Sequence, residues 1–364
     1  MKLSFLDPLY EQPGPWASVY LDTSQDIDDP ERAIALRWRH LREDLVAGGA
    51  ERETLDALAD VLGADREVAG RHGQALFAAR GRLVLVEELP EPPRRDVARF
   101  GPLPHALPLA VHHAPEIPYA AVALDHLTQE PEEVLVEVES GRWPMSRVVP
   151  GPAATHRVPA GDWPQQAPDI ARHLEELAAG GDAEVIVVRA GAEAEWARGV
   201  LVGHLPRRVR DHLITVRSEA TAQEMPPRPG PGRALLEDEL GGLLADRPST
   251  GDHRLLDRYR AQRAQRPETS DGMTAVTAAL QQGRAEALLV TTPVSMPAPV
   301  WTGTEPHRIS LSAEELRAFG EPTVRRETAQ DALLWAVVGT GAELVVVPHD
   351  TLPLHDGVGV LLRS

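Results

Sequence analysis

Histidines are the first residues to test for chemistry, because the chain holds fourteen of them and imidazole is a common metal ligand. Their spacing argues against a metal site. His112 and His113 are adjacent, and neighbouring residues of a strand point to opposite faces. No H-x-x-x-H pair with a supporting carboxylate occurs on a predicted helix. The sequence therefore predicts scattered surface histidines, with no metal and no cofactor.

Other catalytic signatures are missing from the sequence. The chain has no cysteine, which excludes disulfides, thiol nucleophiles and cysteine-ligated zinc. Lys2 is the only lysine, so the chain cannot supply the lysine of a phosphate-binding P-loop. No G-x-S-x-G motif is present, and neither Ser295 nor Ser312 has a recognisable histidine and acid around it.

Carboxylates are concentrated in one short segment, which reads E-V-L-V-E-V-E from Glu133 to Glu139. Side chains of a strand alternate between two faces. The alternation of glutamate and valine therefore predicts a strand with one solvated face, and it does not favour a pair of catalytic acids.

Arginines are the only groups that could bring positive charge to RNA. The net charge of -18 argues against broad non-specific binding to nucleic acid, which needs clustered positive charge. Two arginine clusters each allow two interpretations, either a solvated helix or a ridge that contacts RNA or protein. The denser one comprises Arg254, Arg258, Arg260, Arg263 and Arg266, interleaved with Asp252 and Asp257. The smaller one comprises Arg207, Arg208 and Arg210.

The length of 364 residues predicts two or three domains. Alternating helical and strand patterns predict an α/β fold, and we divide the chain at composition changes into domains 1–115, 116–221 and 222–364. The proline-rich segment M-P-P-R-P-G-P-G, residues 225–232, is an expected linker or loop. No apolar run is long enough to span a bilayer and the start is no signal peptide, so a cytoplasmic location is expected.

Local patterns predict most elements of the three domains. In the first we expect a strand at 17–21, helices at 30–46 and 52–62, and a hairpin at 74–88, followed by an irregular segment at 90–118. In the second we expect strands at 119–125, 133–139 and 145–149, a loop at 150–164, a helix at 165–179 and a βαβ unit at 184–216. In the third, helices at 233–245, 254–266, 272–282, 313–319 and 329–338 accompany strands at 285–291, 343–348 and 358–362.

Two segments of the last domain resemble a known domain. Residues 271–291 read D-G-M-T-A-V-T-A-A-L-Q-Q-G-R-A-E-A-L-L-V-T, and residues 356–364 read D-G-V-G-V-L-L-R-S. They resemble the C-terminal domain of class I release factors and Pelota, in which a glycine-started helix leads into a Leu-Leu strand. The resemblance implies a ribosomal-protein-L30e-like α/β/α domain that binds and does no chemistry.

The middle domain resembles the same factors more loosely. Residues 185–191, V-I-V-V-R-A-G, look like the strand and Ala-Gly element of that family. Residues 155–166, T-H-R-V-P-A-G-D-W-P-Q-Q, take the place of the loop that in release factors carries Gly-Gly-Gln and promotes attack of water on peptidyl-tRNA. Here Ala160 and Asp162 stand where glycines would be expected. The loop looks closer to that of the bacterial relatives, which has a His-Lys/Arg-Val start and a tryptophan.

The whole chain therefore resembles the bacterial archaeo-eukaryotic release factor-like family, which includes Vms/Ankzf-type peptidyl-tRNA hydrolases and Balon-like ribosome hibernation factors. The resemblance implies three α/β domains in a release factor or Pelota-like arrangement. It implies a monomer that binds the ribosomal A site, contacts rRNA and elongation factor Tu, has no membrane partner, and serves in hibernation or stress. Two alternatives stay open: a peptidyl-tRNA hydrolase acting on stalled ribosomes, and a stress-linked scaffold that binds proteins.

The resemblance also implies roles for particular residues. We expect contacts with RNA from the loop and from the smaller arginine cluster, by His156, Arg157, Gly161, Trp163, Arg207 and Arg208. If the chain is a hydrolase, Gln165 or Gln166 would act like the family glutamine. Helix-start statistics favour the alternative, in which both are first-turn residues of the following helix, and Pro164 constrains the approach of either glutamine to a substrate.

Overall fold

A computed structural model of the chain describes residues 1–65, 68, 70–148, 153–218, 237–244 and 247–363. The chain divides into two compact units. The first combines Met1–Pro115 with Gly251–Ser364, and the second is Glu116–Thr250. The division into three domains at 115 and 221 stays a prediction. Among the described residues, no helix is both long enough and apolar enough to cross a membrane.

Strands and helices are interspersed along the described chain. The strands are β1 Trp16–Asp22, β2 Gly73–Ala79, β3 Arg82–Leu89, β4 Val97–Gly101, β5 Ile117–Leu127, β6 Glu133–Trp143, β7 Ala153–Pro159, β8 Val185–Gly191, β9 Leu213–Ser218, β10 Ala285–Thr292, β11 Val300–Thr302, β12 Ile309–Ser310, β13 Arg325–Glu327, β14 Glu343–Pro348 and β15 Val358–Leu362. The helices are α1 Asp7–Tyr10, α2 Pro30–Ala47, α3 Arg52–Ala59, α4 Leu107–His113, α5 Trp163–Gly180, α6 Glu195–His204, α7 Arg207–Arg210, α8 Glu237–Leu244, α9 Thr250–Gln265, α10 Gly272–Gln281, α11 Ala313–Ala318 and α12 Ala329–Thr340. The predicted α/β class is confirmed.

The first unit contains three sheets with the strand orders β3-β2-β1-β4, β14-β10-β15 and β12-β11-β13. In the second of these, β10 runs parallel to β14 and antiparallel to β15. β15 belongs to the glycine-rich tail, residues 356–364. The tail needs its second glycine for space, because a Cβ on Gly359 would lie 2.5 Å from the Tyr259 hydroxyl oxygen. Gly357 has a φ of +72°, a conformation that favours glycine.

The second unit is built on one five-stranded sheet with the order β7-β6-β5-β8-β9. β5, β8 and β9 are mutually parallel, whereas β6 and β7 are added as antiparallel neighbours. One face is covered by α5 and α6, which contribute Trp163, Leu174 and Leu201 to the core. On the other face Leu240 and Leu244 of α8 pack with strand residues. The central parallel strands β5 and β8 are therefore buried on both faces, as expected for parallel strands.

Three local predictions are wrong. The segment 90–118, expected to be irregular, contains strand β4 and helix α4. Met145–Arg147 is a turn of 3-10 helix, although a strand was expected at 145–149. The expected loop at 150–164 contains β7, which pairs with β6 over Ala153–Pro159. In each case either the segment is rich in proline or its conformation depends on pairing with a strand elsewhere in the sequence. Local sequence patterns therefore predicted the wrong structure. Residues 149–152, 225–232 and 233–236 lie outside the described residues.

The end of α4 makes the first unit sensitive to acid. Burial, reinforced by neighbouring His112, lowers the pKa of His113 from 6.5 to about 4. The ring stacks on Phe5 with 3.9 Å between centroids. Because the folded pKa is depressed, the unfolded chain binds the proton more readily, and this histidine disfavours folding progressively as the pH falls from 6.5 to 4.

We therefore expect His113→Leu to make the unfolding free energy less dependent on pH between 6.5 and 4. Urea unfolding at several pH values measures this. The control is His40→Leu on the exposed side of α2, which removes an imidazole from the surface of the same unit. Equal pH dependence in the parent and His113→Leu would contradict the prediction.

Candidate functional site

The residues expected to form a functional loop lie instead on a strand, a turn and the start of a helix. β7 pairs with β6 so that Val158 lies opposite Val134 and His156 opposite Val136. Proline cannot donate a ladder hydrogen bond, which suits Pro159 as the last residue of the strand. A 3-10 turn, Ala160–Asp162, follows, and α5 begins at Trp163. The backbone here is therefore held by regular structure.

A groove of about 880 Å³ runs between β7 and α5, and we call it the edge groove. Its apolar lining comes from β6, from β7 and from one face of α5, and includes Val138, Val158, Ile170 and Leu177. Its polar lining includes His156, Arg157, Asp162, Gln166, Asp169 and His173. Such a mixture of apolar surface and a few polar groups is typical of binding sites.

The two candidate glutamines differ in position. Both lie in the first turn of α5 and both are exposed. Gln166 lines the edge groove, whereas Gln165 does not. The helical spacing explains the difference, because Gln166, Ile170 and His173 share one face of α5 and Gln165 lies about 100° away. Only Gln166 can therefore present its amide to a molecule in the groove.

His156 and Arg157 are exposed on β7. The Arg157 guanidinium lies 3.7 Å from the Glu133 carboxylate on the neighbouring strand, which offsets part of its positive charge. The carboxylate of Asp169 accepts a hydrogen bond from Arg172 on the same helix. Arg157 and Asp169 are thus each balanced by a local partner, and the groove has no strong positive field.

Trp163 is the first residue of α5 and is fully buried. Its indole N–H donates a 2.9 Å hydrogen bond to the Ala197 carbonyl oxygen of α6. This burial leaves no surface for a direct contact with RNA, so the role expected for Trp163 is replaced by one in the core. Gly161, by contrast, is exposed, and a Cβ there would meet nothing within 4 Å.

The arginines of α7 lie on the surface of the second unit. Arg207 and Arg208 are both exposed, and Arg208 donates a hydrogen bond to Glu175 of α5. Their position leaves Arg207 available for an anionic partner, with Arg208 already engaged by a carboxylate.

The arginine cluster of α9 is largely paired within the first unit. Arg258 pairs with Glu286, Arg260 lies 3.2 Å from Asp257, and Arg263 lies 2.6 Å from Asp271. These contacts favour the interpretation of α9 as a solvated helix over that of an RNA-binding ridge.

Residues 119–265 match the family model described as bacterial archaeo-eukaryotic release factor family 2. The resemblance to this release factor-like family is confirmed. The matched segment contains β7, α5 and all the residues that line the edge groove. The site therefore lies in the part of the chain with the clearest family relationship.

Several known proteins are similar over most of the chain. The "Uncharacterized protein Rv2629" of Mycobacterium tuberculosis is 27% identical over 371 residues, covering 96% of this chain and 93% of that protein. Archaeoglobus fulgidus Pelota is 14% identical, with 80% of this chain and 79% of that chain covered and a TM-score of 0.36. A chain in a model of ribosome-bound archaeal Pelota and ABCE1 is 14% identical, with 100% of this chain and 95% of that chain covered and a TM-score of 0.34. TM-scores this low do not establish a shared domain arrangement, so the relationship to release factors rests on residues 119–265.

Sequence reasoning missed His173 and the groove itself. The signal for His173 was present, because it lies seven residues after Gln166 and so on the same helical face. The groove could not be predicted, because the sequence pattern of residues 150–164 indicates a loop where the structure has β7. A strand beside the helix is needed before the two can enclose a groove.

Proposed function

We propose that this protein is a ribosome-associated factor that occupies the A site. The observation that carries the proposal is the family match, which spans the whole of the edge groove. Contacts with rRNA come, on this proposal, from exposed groups of the second unit, namely His156, Arg157, Gly161, Arg207 and Arg208.

The favoured role is binding without hydrolysis, in hibernation or stress, with elongation factor Tu as a partner. Release factors bring a flexible Gly-Gly-Gln loop to the ester bond, and glycines allow backbone conformations that other residues avoid. Here the corresponding residues belong to β7, a 3-10 turn and α5, and no Gly-Gly-Gln is present. A fixed edge of this kind suits a positioning or blocking element.

Co-sedimentation with ribosomes from a stationary-phase extract tests the proposal. We expect the full chain to sediment with ribosomes, and we expect Arg157→Glu combined with Arg207→Glu to weaken binding by roughly tenfold or more, because two phosphate contacts are lost. Arg52→Glu serves as the control, since Arg52 is an exposed arginine of α3 outside the proposed contacts. Absence of the parent chain from the ribosome fractions, at low salt as well as high, would defeat the proposal.

A second candidate function is peptidyl-tRNA hydrolysis, and one observation favours it. Gln166 shares the edge groove with the imidazoles of His156 and His173, which could orient or deprotonate a water. Release of a labelled peptide from ribosome-bound peptidyl-tRNA distinguishes the two functions. We expect no release by the parent chain. Release that is lost in Gln166→Ala and kept in Gln165→Ala would instead establish the hydrolase.

A further inference from the structure

We propose that the edge groove binds an extended, positively charged peptide segment of a partner protein, which pairs with β7 as an additional strand. The inference concerns a protein ligand and does not require that the chain bind the ribosome. It rests on the backbone of β7, on the apolar lining beside it, and on the charge of the chain.

β7 offers one edge of its backbone for pairing. It lies at the end of the sheet and bonds to β6 on one side, and in the part of the chain that the structure describes no strand pairs with its other side. Four consecutive residues of β7, from Ala154 to Arg157, are exposed. An exposed edge of this kind is a ready template for another extended chain.

The lining of the groove suits alternate side chains of such a strand. A peptide that joins β7 sends every second side chain toward the α5 side of the sheet. There it would meet Val158 of β7 together with Ile170 and Leu177 of α5. Strand addition takes affinity from backbone hydrogen bonds and specificity from pockets for alternate side chains, and both are present here. The seven residues of β7 span ~23 Å, enough to pair with a segment of similar length.

Charge decides which partner fits best. The chain carries a net charge of -18, and Asp162 adds a carboxylate at the groove itself. A second copy of the chain would bring the same negative charge, and the apolar lining between β7 and α5 does not suit a phosphate backbone. A segment that alternates apolar and basic residues fills the apolar lining and complements the charge. This favours a basic protein segment over a second copy or an RNA strand.

Binding of a labelled nine-residue peptide of alternating valine and arginine, followed by fluorescence anisotropy with the full chain, tests the proposal. We expect saturable binding that weakens as salt increases, and binding weaker by roughly tenfold or more for an alternating valine–glutamate peptide and for a peptide with the valines and arginines in blocks. Equal affinity for the alternating and block peptides would overturn strand pairing. Displacement of the labelled peptide by an RNA oligonucleotide at a lower concentration than by unlabelled peptide would also overturn the proposal. So would the finding that two copies of the chain occupy each other's grooves and that the peptide only dissociates this dimer.

Matched variants locate the peptide in the groove. Ile170→Lys places a positive charge in the apolar lining and should weaken binding by roughly tenfold, whereas Gln165→Lys adds the same charge on the same helix outside the groove and should not. Equal effects of the two would contradict the location.

A pair of proline variants tests the backbone. Successive residues of a strand direct their N–H groups to opposite sides, so one of Thr155 and His156 donates toward β6 and the other outward. Thr155→Pro and His156→Pro should therefore differ, and the variant that keeps the parent circular dichroism should lose peptide binding. Full binding by a folded variant of this pair would rule out strand addition.

Discussion

Trp163→Ala is expected to lower the free energy of unfolding by about 3–5 kcal/mol, the loss typical of truncating a large buried aromatic side chain. The indole is completely buried between α5 and α6, so its removal leaves a cavity lined by residues that cannot close around it fully. The alanine also leaves the Ala197 carbonyl oxygen without its indole donor. Both effects act on the helix that carries Gln166.

Urea unfolding followed by far-ultraviolet circular dichroism measures the change. Trp163→Phe should lose less, because the phenyl ring keeps most of the buried area and only the hydrogen bond and some volume are lost. Trp196→Ala is the control, since Trp196 is 41% exposed on α6 and its removal should change stability by about 1 kcal/mol or less. A loss for Trp163→Ala no larger than that for Trp196→Ala would contradict the assignment of Trp163 to the core.

Trp163 also marks where reasoning from sequence succeeded and where it failed. Its position in T-H-R-V-P-A-G-D-W-P-Q-Q pointed correctly to the family and to the start of a helix. Its role could not be read there, because an aromatic residue at the first turn of a helix can face either solvent or core. The choice was made by α6, whose Ala197 accepts the indole N–H. That partner lies 34 residues away, and sequence patterns do not register such contacts.

Elements fixed by local signals were predicted well. The expected end of this helix near residue 179 is confirmed, since α5 ends at Gly180 and Gly181 adopts a φ of +82° as its C-cap. The hairpin of β2 and β3 was predicted because a short turn joins two apolar runs. β7 was missed because its residues A-A-T-H-R-V-P form a strand by pairing with Glu133–Glu139 of β6, a contact that local patterns do not register. The same holds for the candidate site. The sequence indicated most of its polar residues, but it could not predict the groove that β7 and α5 form around them.

Asp125→Ala is expected to lower the free energy of unfolding by about 3–5 kcal/mol, because it removes a carboxylate that is ion-paired with the buried guanidinium of Arg189. The Arg189 guanidinium lies 3.0 Å from the Asp125 carboxylate, and both side chains are buried. The two residues lie on the neighbouring parallel strands β5 and β8, near the ends from which their loops leave. The pair therefore links β5 and β8 within the sheet of the second unit.

The pair also allows stability to be separated from charge. Asp125→Leu combined with Arg189→Met removes both charges and keeps apolar volume, so the double variant should unfold at a free energy much closer to that of the parent than Asp125→Ala does. Asp56→Ala is the control, because the Arg52–Asp56 pair of α3 is exposed at 3.6 Å and should contribute about 0.5 kcal/mol or less.

These variants carry a consequence for the edge groove. If the double variant is as stable as the parent and still binds the alternating peptide, the buried pair serves the sheet alone and β7 needs only the scaffold beneath it. Asp125→Ala should then lose peptide binding only in proportion to its unfolded fraction. If Asp125→Ala destabilised the chain no more than Asp56→Ala, the buried pair would stabilise the second unit no more than an exposed pair does, and the position of β7 would have to depend on its pairing with β6 and on its packing against α5.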